Sequence, residues 1–229
     1  DDGWLDLFVA NDSTRQFLYR NLGDGTFREA GVEQGLAFDG EGKTEAGMGI
    51  AIGDVDGDLR LDLFLTTLDV ETNTLYHQGE GGWFEDRTDV FGLAVDPLSR
   101  VGFGTAFFDA EYDGDLDLYV ANGHIIDNID RVNPRLAFEQ TDQYFQNDGR
   151  RRFTDVSAAA GEALARAGVG RAVAVGDDAD DLDLDLLVSH NDRPAVLLRT
   201  DAPPLAHAAV LDLRSRPAGR PAAAARETG

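Results

Sequence analysis

The chain has 229 residues, 42% of them hydrophobic, and a formal charge of −23 from 20 basic and 43 acidic side chains. A surface this acidic repels nucleic acid and anionic membrane, and no apolar run approaches the length of a membrane span, so neither nucleic-acid binding nor membrane insertion is expected. With no cysteine, disulfides, thiolate metal sites and cysteine catalysis are excluded, and cations are left as the staple for an exported chain.

In chain order, a strand is predicted over 5–10, directly after Asp2-Gly3-Trp4-Leu5-Asp6. A second follows at 16–20, then the turn Gly23-Asp24-Gly25 and a short aromatic strand around Phe27. A strand of small residues over 47–53 leads into an acidic loop from Asp54 to Asp62, and the order begins again. Strands are predicted at 61–67 and 74–78, with a turn at 79–82, an aromatic strand around Phe84 and a small-residue strand over 102–108. The loop from Asp109 to Asp117 opens the next unit, with strands at 116–121, 143–146, around Phe153 and over 169–176. A last loop, 177–185, precedes strands at 184–189 and 195–199. Taking Asp6, Asp62, Asp117 and Asp185 as markers, the intervals are 56, 55 and 68 residues, the last lengthened by an insertion over 123–141.

Four short alternating strands per unit, glycine-bearing turns and no long helical pattern predict an all-β chain, although 155–167 has room for a turn of helix. Repetition of four-stranded units at this period predicts a β-propeller, with about three and a half blades of a larger ring of about seven. Glycines in the small-residue strands fit the crowding of inner strands near a central channel. The propeller reading covers 1–205. Past Pro203-Pro204 the character changes, and 206–229 reads as a linker or the start of another segment, with one further strand possible at 208–213.

The loops place carboxylates at positions 1, 3, 5 and 9, with glycine at position 6 in the clearest copy. Calcium takes six to eight oxygens, and such a loop aims alternate side chains at one centre. The best copy is Asp109, Glu111, Asp113 and Asp117, with Gly114 at the turn. Asp54, Asp56, Asp58 and Asp62 keep all four acids but carry Leu59 at the turn, where a left-handed non-glycine residue costs about 1 kcal/mol unless Gly57 turns the loop instead. Asp177, Asp181 and Asp185 remain in the last copy, where Ala179 removes a ligand and Leu182 replaces the glycine, so weak binding or none is expected there. A single Asp-Gly-Asp loop reads equally well as a plain turn; recurrence in one register favours metal. An EF-hand is excluded, because position 12 is Leu65 or Val120 within strand patterns rather than a bidentate Glu. Calcium here would be structural, neutralising stacked carboxylates and fixing each loop.

These residues resemble the FG-GAP or VCBS calcium-binding propeller repeats, and their wording resembles the bacterial relatives of cartilage acidic protein that carry a C-terminal ASPIC/UnbV segment. The resemblance rests on Asp-Gly-Trp-Leu-Asp-Leu-Phe-Val-Ala-Asn at 2–11, Tyr-Arg-Asn-Leu-Gly-Asp-Gly-Thr-Phe at 19–27 and the run from Phe107 to His124. It implies a secreted, periplasmic or surface-displayed adhesion and recognition module with calcium on the Asp loops, and a protein or glycan ligand at the cell surface. Residues 206–229 would then begin the ASPIC/UnbV segment. No signal peptide is visible, and because the chain opens inside a repeat it reads as a fragment.

No enzyme is expected. The four histidines, His77, His124, His190 and His207, show no zinc spacing, and neither a nucleophile elbow nor a phosphate-cradling glycine motif is present. The alternative is an enzyme or an accessory module of glycan degradation using the 123–141 insertion, where His124, Asp127, Asp130 and Glu139 are the groups to inspect.

Overall fold

The computed structural model describes residues 2–94, 100–179, 181 and 183–200. The predicted change of character over 206–229 and the strand at 208–213 lie outside the described residues, as do Asp180 and Leu182. Within them the chain is all-β and built as propeller blades: four antiparallel sheets, each a meander of consecutive strands.

The first sheet comprises β1 (Leu7–Val9), β2 (Phe17–Asn21) and β3 (Phe27–Glu29). In the second are β4 (Ile50–Gly53), β5 (Asp62–Leu65), β6 (Thr74–Gln78) and β7 (Phe84–Asp86). The third holds β8 (Gly102–Phe108), β9 (Asp117–Asn122), β10 (Gln143–Asn147) and β11 (Phe153–Asp155), and the fourth β12 (Gly170–Gly176), β13 (Asp185–His190) and β14 (Val196–Leu198). One short helix, α1 (Ile129–Val132), lies in the insertion between β9 and β10. Asp155 ends β11, and 156–167 holds turns rather than a helix.

Each acidic loop is the hairpin connection between the first two strands of a sheet. Gly53 pairs with Asp62, Phe108 with Asp117 and Gly176 with Asp185, so the ninth loop residue stands opposite the last residue of the small-residue strand. A blade therefore begins at the small-residue strand and carries its loop inside it, rather than starting after the loop.

Period-2 alternation with both faces apolar builds the core. On β5, Leu63 and Leu65 pack with Leu18, Leu36 and Tyr76 toward the first blade. Phe64 turns the other way, joining Leu75, Phe91, Leu118, Phe145 and Phe153 toward the third. On β9, Leu118 and Val120 enter that same layer, while Tyr119 and Ala121 join Phe108, Leu164, Leu186 and Val188 toward the fourth. Each apolar layer thus lies between consecutive blades, and no blade buries its faces alone.

Two devices join neighbours. Phe84 donates its backbone N–H to the Gln34 carbonyl at 2.7 Å, and Phe153 does the same to Phe91 at 2.7 Å, so the segment leaving one blade is held on the outer strand of the next. At the other end β4, β8 and β12 pack side by side. A Cβ on Gly49 would lie 1.8 Å from the Phe103 carbonyl oxygen, and one on Gly104 would lie 2.6 Å from the Ala172 Cα. Side-chain-free backbone is what lets these inner strands meet.

Candidate metal centre

The loops share one wiring. The first aspartate caps the loop: Asp54 accepts the N–H groups of Asp58 (3.1 Å) and Leu59 (2.8 Å), and Asp109 those of Asp113 (3.1 Å) and Gly114 (2.9 Å). Asp177 accepts that of Asp181 at 3.2 Å. The fifth-position acid bonds two residues on, Asp58 to Arg60 N–H (2.9 Å), Asp113 to Asp115 (3.0 Å) and Asp181 to Asp183 (3.2 Å). These are the local bonds that short acidic side chains offer turns.

The ninth aspartate reaches outward. Asp62 accepts Val55 N–H at 3.1 Å on one oxygen and Gln78 N–H at 2.9 Å on the other, tying the loop to β6. Asp6 and Asp117 accept the N–H of Asn21 and Asn147, each at 2.8 Å, and Asp185 those of Asp178 (3.2 Å) and Thr200 (3.1 Å). Burial pushes Asp62 up to about 6 and Asp117 up to about 7.

Positions 4 and 6 are both left-handed. Gly57 and Leu59 have φ of 72° and 66°, and Tyr112 and Gly114 have 57° and 93°. Each loop therefore has one glycine and one strained residue, with the order exchanged between the two. Leu59 keeps the turn that glycine would supply, and Gly57 makes a second. Because Leu59 is 89% exposed, Leu59→Gly loses no packing. It should raise stability in urea unfolding by about 0.5–1 kcal/mol, the relief of left-handed strain less the extra freedom of the unfolded glycine; an unchanged or lowered midpoint would show the turn to be unstrained.

The second-blade loop brings its acids together. One carboxylate oxygen from each of Asp54, Asp56 and Asp58 lies within 4.8 Å of the others, and a second group at the same limit joins Asp56, Asp62 and His77. Asp56 belongs to both, and its side chain is 1% exposed. Its Oδ2 meets His77 Nε2 at 3.0 Å and Arg151 Nε at 2.8 Å, while Oδ1 is buried with no hydrogen-bond partner. Arg60 pairs with Asp58 and donates Nε–H to the Gln78 carbonyl at 2.9 Å. From the third blade, Asn147 donates to the Val55 carbonyl at 2.9 Å, so the loop is pinned at the junction of two blades.

The loop expected to be the best is arranged differently. Glu111, one methylene longer than Asp, reaches across to β10, where Gln146 donates to one oxygen and the Tyr144 hydroxyl lies 3.1 Å from the other. The same hydroxyl is 2.6 Å from Asp117 Oδ2. Among the described residues, Asp109, Glu111, Asp113 and Asp117 form no three-ligand group. In the last loop Asp178 pairs with Arg199 at 3.1 Å, and Ala179 offers nothing.

The insertion turns its histidine inward. His124 is buried, its Nδ1 accepts the Ile126 N–H at 3.0 Å, and its Nε2 lies 3.8 Å from Asp69. Asp127, Asp130 and Glu139 are all exposed. A polar cleft of about 700 Å³ lies elsewhere, between 39–45, 70–74 and 86–90. At it sits buried Glu45, accepting the hydroxyls of Thr74 and Tyr76 (2.7 Å) and pushed by burial up to about 7. His77, Arg151 and Glu45 carry no signal in the spacing of the acids; strand pairing and blade packing bring them in.

The family model of the FG-GAP-like repeat matches residues 1–65, which span the first sheet and run through the second loop into β5. No curated protein matches the chain. Among solved structures it is similar to an Agrocybe aegerita lectin, described for specific recognition of non-reducing terminal N-acetylglucosamine. The identity is 19% and the TM-score 0.37, over 87% of this chain and 50% of that one, so the chain spans half the lectin's length. What fold and repeat define together is a β-propeller-like module. No helix among the described residues is long and apolar enough to cross a membrane.

Proposed function

We propose that the chain is a calcium-binding extracellular recognition module, secreted, periplasmic or displayed at the cell surface, in which Ca2+ staples the acidic hairpin loops. The observation that carries this is the convergence of Asp54, Asp56 and Asp58 beside a buried Asp56 oxygen that nothing else satisfies. An oxygen-rich loop of this kind suits a hard cation. Asp109, Glu111, Asp113 and Asp117 join once Glu111 swings from Gln146 and Tyr144. Asp177, Asp181 and Asp185 form the weakest copy. The ligand is a protein or a glycan, and the cleft by Glu45, lined by Thr44, Thr72 and Thr88, offers the carboxylates and hydroxyls that sugars bond. Kinship with ASPIC/UnbV-type proteins belongs to the same proposal and rests on the runs at 2–11, 19–27 and 107–124. Catalysis through the insertion finds no support in its exposed acids and inward-facing histidine.

Calorimetric titration with Ca2+, paired with melting curves at pH 5 and pH 8 in calcium and in chelator, tests the reading. The folded values of Asp62 and Asp117 lie above the ordinary aspartate value. The fold therefore holds more protons than the unfolded chain between about pH 4 and 7, and the stability this gives is lost as pH rises. In chelator the melting temperature should fall from pH 5 to pH 8. Calcium favours the charged forms, so it should raise the melting temperature at pH 8 and flatten that slope. No heat of binding and no shift would leave the loops as acidic turns.

A further inference from the structure

The four loops are aligned by their strand pairing, and the alignment singles out one side chain per blade. Leu7 pairs with Tyr19, Leu63 with Tyr76, Leu118 with Phe145 and Leu186 with Leu198. The next residue, within β2, β6 and β10 and directly after β14, is Arg20, His77, Gln146 and Arg199 respectively. Each stands beside its own loop. Arg20 lies 3.7 Å from Asp2 and Arg199 lies 3.1 Å from Asp178, so in the first and fourth blades a guanidinium supplies the positive charge. Gln146 donates to Glu111 in the third. The second blade alone of the four presents an imidazole.

We infer that His77 turns the second-blade loop into a mixed imidazole–carboxylate site, formed with Asp56 and Asp62, that prefers a first-row divalent transition metal to calcium. The inference deepens the cation reading of this loop and rests on it for the site, though not for the identity of the ion. One atom from each of the three residues lies within 4.8 Å of the others, a span that ligands at about 2.0–2.2 Å from one ion reach with small side-chain movements. His77 Nε2 is 3.0 Å from Asp56 Oδ2 and 3.6 Å from Asp58 Oδ2, so the imidazole already points into the carboxylates. Its ring packs on the buried Phe91 ring, with centroids 5.5 Å apart, which holds that orientation. The unpartnered Asp56 Oδ1, on a side chain 1% exposed, is a second and independent sign of a missing ligand. Calcium takes oxygen donors, whereas imidazole suits zinc, copper, iron and nickel. Arg151, which holds Asp56 Oδ2 at 2.8 Å, has a side chain 55% exposed and can leave without opening the core.

The test titrates the full chain separately with Zn2+, Co2+ and Ca2+ by calorimetry, and follows the Co2+ visible absorption and the imidazole 15N shifts. Zn2+ or Co2+ should bind at least tenfold more tightly than Ca2+, and the His77 ring should shift while the other histidines do not. His77→Gln, copying the third blade, should weaken Zn2+ at least tenfold and leave Ca2+ within twofold. His77→Arg, copying the first and fourth, should abolish the Co2+ band. The 15N shift needs no variant and decides the matter even if a substitution unfolds the blade. Ca2+ binding equal to or tighter than Zn2+, with an unshifted His77 ring, overturns the inference and leaves the calcium reading standing. Zn2+ binding through His77 without Ca2+ binding establishes it and removes that reading, and no binding of any ion removes both.

Discussion

Asp62→Ala should destabilise the chain by about 2–4 kcal/mol in urea unfolding at pH 5 in chelator. Asp62 is 0% exposed, and its two oxygens accept the backbone N–H groups of Val55 and Gln78. Alanine leaves the buried Val55 donor and the half-buried Gln78 donor without their acceptor, at about 1–3 kcal/mol each. The loss should be smaller at pH 8. Burial raises the carboxyl to about 6, so at pH 5 the fold holds a proton that the unfolded chain largely releases, and this contribution is gone at pH 8. Asp6→Ala is the control: that aspartate makes the matching bond to Asn21 N–H at 2.8 Å but is exposed, so water replaces it and the loss should stay under about 1 kcal/mol. Equal effects at the two positions would show that the ninth aspartate is a surface turn residue in both blades.

Much of this wiring follows from local chemistry and was legible in the sequence. Aspartates at positions 1 and 5 bond the amides just ahead of them, so turn rules suffice to place the loops, and alternating apolar runs such as Leu63-Phe64-Leu65 place the strands. The phase of the blade was less accessible, because pairing Gly53 with Asp62 across the loop is a tertiary choice that the order of elements leaves open. Side-chain reach sets the two loops apart. Glu111 completes the pattern on paper, yet its extra methylene carries it to Gln146 and Tyr144 on β10. Leu59 reads as a fault in the second loop, yet that loop gathers its acids, because Gly57 and Leu59 both adopt the left-handed turn. His77 and Arg151 come from another strand and another blade, and only pairing and packing bring them to Asp56. The inner-strand glycines, by contrast, were readable as a crowding signal, and the structure gives that crowding a distance.

Gly49→Ala should cost about 3 kcal/mol or more, the largest effect expected of so small a change. The added Cβ would lie 1.8 Å from the Phe103 carbonyl oxygen, 2.9 Å from its carbon and 2.8 Å from Thr66 Oγ1. Two of those atoms are backbone of the neighbouring blade, so no rotamer change relieves the overlap, and the strands must separate. Thr66 makes separation costly on its own account: its hydroxyl donates to the Phe103 carbonyl at 2.7 Å and accepts the Gly49 N–H at 2.7 Å, bridging the two blades. Gly57→Ala isolates the alternative cause. At that position φ is 72° and nothing lies within 4 Å of the added carbon, so alanine meets backbone strain alone, about 1 kcal/mol. Gly104→Ala should behave like Gly49→Ala, since its Cβ would lie 2.6 Å from both the Ala172 Cα and the Val173 nitrogen of the following blade. Urea unfolding of the three variants separates contact from conformation. If Gly49→Ala and Gly104→Ala lost no more than Gly57→Ala, the inner strands would have to stand further apart than this packing places them. Losses several times larger at both would mean that the approach of one blade to the next is set at these two glycines, where the strands nearest the axis have no side chain to hold them apart.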